Sequence, residues 1–240
     1  MSWFDDFWES RDKQIMAISI AFFVLSFPAY FALSANNADD VSASTTVATY
    51  QIEGEPEYIE LAAGDEFIAD GDPLIIDNLH TDSIDDADDM NIIGVRLTLS
   101  YTEAEDTSGA TCNLPGGSGN PADDTITGTT MHGDYNETAS GVNNGNSGSH
   151  TVEVYWINNT LLDEETVTMS KSDIIAEIDA GDLGLGSYMA EISVDAEAGN
   201  TPGGAFSQCE RTDAGEDVVY KIELIVFEYD IKAYVDLEEL

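Results

Sequence analysis

Between Ile92 and Tyr101 the chain alternates without a break. Ile93, Val95, Leu97, Leu99 and Tyr101 fall on one side of an extended strand, and Arg96, Thr98 and Ser100 on the other. A period of two over this length predicts a half-buried antiparallel strand. A chain with such a strand must pair both of its edges and cover its apolar face with a second layer. Of the folds open to it, this feature favours packed sheets over bundled helices.

The same pattern recurs. Val152, Val154 and Trp156 point one way in Thr151 to Ile157, and Tyr188, Ala190, Ile192 and Val194 do so in Tyr188 to Val194. Shorter strand-like runs lie at Thr46–Ile52, Glu57–Leu61 and Pro73–Ile76. Val218 to Val235 is the longest, and its phase flips inside Leu224–Phe227, which predicts a β-bulge or a strand passing between sheets. One stretch reads as helix. Ser170 and Asp173 fit a capping box, Ile174, Ile175 and Ile178 make an apolar side, and Gly181 can end it. Glu103 to His150 is long, polar and Gly-rich, with one further strand expected near Thr125–Met131. The expected fold is mainly β, with about eight strands. It is an antiparallel β-sandwich, immunoglobulin-like or jelly-roll-like, with one short helix.

A single transmembrane helix is expected ahead of the sandwich. Ile15 to Leu33 is an uncharged apolar run long enough, as a helix, to cross a bilayer. Residues 1–14 then form a cytoplasmic amphipathic leader, 34–45 a stalk, and 46–240 the extracytoplasmic domain. In the leader, Ser2 and Asp5 fit a capping box, and Trp3, Phe4, Phe7 and Trp8 recur at helical spacing. Arg11 and Lys13 precede the run and the next basic residue is Arg96, so the positive-inside rule places the N-terminus in the cytoplasm. The competing reading is a signal peptide cleaved before Ala35.

Charge bounds the partners. With 48 acidic and 7 basic residues the formal net charge is -41. A folded domain so charged repels itself unless counterions screen it. Nucleic acid and anionic lipid headgroups are poor partners. Diffuse cations, other envelope or membrane proteins, and bilayer lipid through residues 15–33 are the expected ones. This composition resembles that of exported, membrane-anchored acidic surface proteins of halophilic or marine archaea. The resemblance implies a single-pass protein of the cytoplasmic membrane that displays an acidic domain outside the cell.

The chain has two cysteines, Cys112 and Cys209, and export makes a disulfide between them the default. Asn136-Glu-Thr138 and Asn158-Asn-Thr160 match the N-glycosylation pattern. Asp82, Asp85, Asp86, Asp88 and Asp89 form an oxygen-rich loop that could hold Ca²⁺; His132, Asp134 and Asn136 are a weaker candidate. His80, His132 and His150 have no zinc-ligand spacing. No nucleophile-elbow, phosphate-loop or zinc-protease motif is present. The expected function is a non-catalytic envelope protein for structure, adhesion or assembly. A ligand- or Ca²⁺-binding accessory subunit of a membrane complex and an extracellular hydrolase are the alternatives.

Overall fold

The computed structural model describes residues 45–143, 145–201 and 208–234. Two four-stranded antiparallel sheets form its centre. One has the order β2-β12-β4-β8, from Pro56–Ala69 (β2), Ile92–Thr102 (β4), Ser147–Tyr155 (β8) and Gly215–Phe227 (β12). The other has the order β3-β10-β6-β7, from Leu74–His80 (β3), Thr125–His132 (β6), Tyr135–Val142 (β7) and Ser187–Asp195 (β10). A three-stranded sheet pairs Val47–Glu53 (β1) with Val167–Ser170 (β9) and Asp230–Ala233 (β13). A short ribbon pairs Asp106–Ser108 (β5) with Glu210–Thr212 (β11).

The alternation of β4 holds as expected: Ile93, Val95, Leu97, Leu99 and Tyr101 are all buried. The inward phases of β8 and β10 meet them, and Val152, Val154, Trp156, Tyr188, Ala190, Ile192 and Val194 join one core. Close approach of the sheets needs a missing side chain. A Cβ at Gly128 of β6 would lie 2.8 Å from Leu99 Cδ1 and 3.0 Å from Leu97 Cδ2. Trp156 keeps its indole N–H satisfied by donating to the Ile92 carbonyl at 2.6 Å.

The phase flip near the end of the chain has two parts. β12 carries bulges at Ile222/Glu223 against β2 and at Ile225/Val226 against β4. The chain then turns and β13 leaves for β1, where Ile231 pairs with Ile52 and Lys232 binds Glu53. The polar stretch from Glu103 to His150 holds more structure than its composition suggests. β7, Tyr-Asn-Glu-Thr-Ala-Ser-Gly-Val, is a largely exposed edge strand held by pairing with β6. Thr127–Ser140 and Thr129–Thr138 hydroxyl contacts of 2.8 and 2.9 Å cross that pair.

The helix runs from Lys171 to Ile178 (α1). Ser170 caps it, accepting the Asp173 N–H at 3.1 Å and donating to Asp173 Oδ2 at 2.6 Å, while Ile174 and Ile178 are buried. Ser170→Ala is expected to lower stability by about 1 kcal/mol with the fold intact, measured by chemical denaturation.

The membrane expectation is corrected. Among the described residues no helix is long and apolar enough to cross a membrane. α1 spans about 12 Å, against a hydrocarbon core of about 30 Å. Ile15 to Leu33, the leader and all but the end of the stalk lie outside the described residues. The fold is therefore a mainly β arrangement of packed sheets, with no preceding transmembrane helix among the described residues. The single-pass topology and the lipid contact rested on that helix; the resemblance to membrane-anchored archaeal surface proteins rested on composition, and its membrane anchor has no counterpart among the described residues, so none of the three is carried forward.

Candidate metal centre

Three carboxylates extend the inward phase of three different strands at one end of the sandwich. Glu103 follows Tyr101 of β4 in register, Asp124 precedes Ile126 of β6, and Glu216 precedes Val218 of β12. Alternation would place apolar residues there. Asp124 and Glu216 are fully buried, with relative exposure of 0%. Asp213, in the turn before β12, joins them. One carboxylate oxygen from each of Glu103, Asp124, Asp213 and Glu216 lies within 4.8 Å of the others.

Three of the four acids are held from behind. Glu103 Oε1 accepts the Glu105 N–H at 3.0 Å, Asp124 Oδ1 accepts the Glu197 N–H at 2.6 Å, and Asp213 Oδ1 accepts the Gly215 N–H at 3.1 Å. Gly215 has φ +138°, and a Cβ there would lie 2.0 Å from the Ile68 carbonyl oxygen. Only glycine makes this turn, which carries Asp213 and Glu216 on either side.

Asn143, fully buried, ties the group together. Its Oδ1 accepts the N–H groups of Asp124 and Gly145, each at 3.0 Å, which fixes the orientation of the amide. Its Nδ2 then donates to Asp124 Oδ2 at 2.7 Å, Glu216 Oε1 at 3.2 Å and, more weakly, Glu103 Oε2 at 3.4 Å. One amide cannot neutralise four carboxylates. Glu216 Oε2 and Asp213 Oδ2 are buried with no hydrogen-bond partner. Orphaned buried carboxylate oxygens are costly, and they call for a proton or a cation.

The electrostatics agree. Burial, then the hydrogen bond to Asp124 and the nearby charges of Asp124, Glu103 and Asp213, push the Glu216 carboxyl up to about 9. Burial likewise raises Glu103 and Asp213 above the usual carboxylate range. Glu105 behaves oppositely. Burial alone would raise it, but hydrogen bonds from Arg211 and from the Gly199 N–H hold it below its ordinary value.

Four carboxylates without thiolate or imidazole are a hard-cation donor set, suited to Ca²⁺, Mg²⁺ or Mn²⁺. The group could coordinate a divalent cation. The sequence pattern points to another place. Asp82, Asp85, Asp86, Asp88 and Asp89 lie on and beside two 3₁₀ turns, Thr81–Ser83 and Ala87–Asp89, with all five side chains exposed. They are not among the converging carboxylates. His132 is buried, and its two ring nitrogens face the Ser187 and Leu183 carbonyls at 3.0 and 2.6 Å, while Asp134 and Asn136 are exposed.

Cys112 and Cys209 form the disulfide. Asn136 lies exposed on β7. Asn158 is exposed before the 3₁₀ turn Asn159–Leu162, and its Oδ1 accepts the Thr160 hydroxyl at 2.6 Å. Arg96 lies across the face of β4, donating to Glu153 at 2.5 Å with its guanidinium 3.7 Å from the centre of the Tyr58 ring. No protein-family model matches this chain, and neither does any curated protein.

Proposed function

We propose that this protein is a non-catalytic β-sandwich module that holds Ca²⁺ at Glu103, Asp124, Asp213 and Glu216 and serves a structural, adhesive or assembly role. The observation that carries this reading is the pair of buried, unpartnered oxygens, Glu216 Oε2 and Asp213 Oδ2, inside a preorganised four-carboxylate group. Calcium is favoured over magnesium because it accepts several protein carboxylates in irregular geometry and loses its water more readily.

Thermal unfolding at fixed ionic strength tests the reading. The melting temperature is expected to rise with the logarithm of Ca²⁺ concentration, by the equivalent of about 2.7 kcal/mol at a hundredfold excess over Kd, with a smaller rise in Mg²⁺. A Ca²⁺ effect no larger than that of K⁺ at equal ionic strength would overturn it.

A further inference from the structure

The two chain segments that bring Glu103 and Asp213 together are joined two residues further out. Glu105 and Arg211 form a bidentate pair, with Arg211 Nε and Nη2 each 2.7 Å from a Glu105 oxygen. The side chains are 0% and 6% exposed, so water does not share the pair. Arg211 also donates to the Ser118 carbonyl at 2.8 Å, and Glu105 accepts the Gly199 N–H at 2.6 Å. The β5–β11 ribbon runs alongside, with only three residue pairs, Glu210–Ser108, Arg211–Thr107 and Thr212–Asp106. A ribbon this short has little stability of its own. Cys112–Cys209 closes the far end, two residues beyond Arg211, and the Gln208 N–H donates to Thr111 Oγ1 at 2.9 Å.

We infer that the Arg211–Glu105 pair and the Cys112–Cys209 disulfide act together as a clasp that sets the cation affinity of the four-carboxylate centre, so that reduction of the disulfide loosens the centre and releases the ion. The inference rests on the cation reading above. The pair is polar and buried where an apolar contact would serve for packing alone. Its members sit two residues from two of the proposed ligands, the place from which an outer contact orients an inner one. Each bond in the clasp crosses between the same two segments. Cutting the covalent one leaves the ribbon, the ion pair and the end of the β4–β12 pairing at Thr102–Asp217 to hold Glu103 against Asp213. The redox step is thiol–disulfide exchange with a dithiol. Two electrons and two protons pass to Cys112 and Cys209, giving two protein thiols and a cyclic disulfide of the reductant.

Calorimetric titration of the full chain with Ca²⁺ in concentrated KCl tests this. Four samples are compared: the oxidised protein, the protein reduced with dithiothreitol, oxidised Arg211→Lys and oxidised Glu105→Gln. Circular dichroism on each sample confirms that it is folded. Reduction and both substitutions are expected to weaken Ca²⁺ binding by about 10- to 100-fold, the range typical of lost outer-shell contacts. If the reduced protein unfolds, the two substitutions decide with the disulfide intact. Equal affinity in every folded sample would overturn the clasp and leave the cation centre standing. Absence of Ca²⁺ binding in the oxidised protein would instead remove the centre, and the clasp with it.

Discussion

Replacing Cys112 and Cys209 together by serine is expected to lower the melting temperature by on the order of 10 °C, measured in chelator so that cation binding does not contribute. The disulfide joins residues 97 apart in sequence. Closing a loop of that size restricts the unfolded chain by about 4–5 kcal/mol on the chain-entropy account. A domain of this size shifts by about 2–4 °C for each kcal/mol. Calorimetry of the paired variants reads it directly. A drop of only a degree or two would mean that the unfolded chain already holds the two segments together.

The metal-free protein should lose stability as pH rises above neutrality. Glu216 sits at about 9 in the fold against 4.5 when free. A group raised on folding stabilises fully below its unfolded value, and that contribution is lost as pH climbs through the folded one. Glu103 and Asp213 are raised too and act in the same direction. His150 acts oppositely. Burial lowers it, so its contribution is present above about pH 6.5 and lost as pH falls. Between about pH 7 and 9, then, the carboxyl effect stands alone. In chelator the melting temperature is expected to fall across that window. In Ca²⁺ it should hold or rise, because the ion replaces the proton and binds better as the acids ionise. Glu216→Gln should flatten the chelator curve, raise stability at pH 9 and abolish the Ca²⁺ shift. Melting curves at each pH with and without Ca²⁺ decide it; a chelator curve that stays flat from pH 7 to 9 would refute the assignment of the buried proton to Glu216.

What can be read from the residues follows burial. β4, β8 and β10 pack one face on a core, so their alternation is written into side-chain chemistry, and their buried residues are identifiable from the pattern alone. The helix is legible from its cap, since Ser170 and Asp173 act locally. Two cysteines allow only one intrachain pair. β7 is illegible because an edge strand facing water needs no apolar alternation; its order comes from its neighbour β6. The five aspartates at 82–89 stand out by being adjacent in sequence, yet adjacency on an exposed turn costs nothing and implies no convergence. The four carboxylates that do converge span Glu103 to Glu216, and strand pairing, the packing of the two sheets and the turn that carries Asp213 assemble them. One signal is present. Glu103, Asp124 and Glu216 each fall on the inward phase of a strand, where a charge is out of place. Reading that requires the strand boundaries, and the apolar pattern of β12 begins only at Val218, past Glu216.

The position of β12 also governs the order in which this fold can be completed during synthesis. It lies between β2 and β4 and pairs with both along nearly its whole length. Without β12, β2 and β4 lack a pairing partner on the side it fills, and each would present an open hydrogen-bonding edge. A chain synthesised only as far as β11 therefore lacks the strand that joins this sheet, and open edges of this kind favour pairing with neighbouring copies. A net charge of -41 opposes that approach.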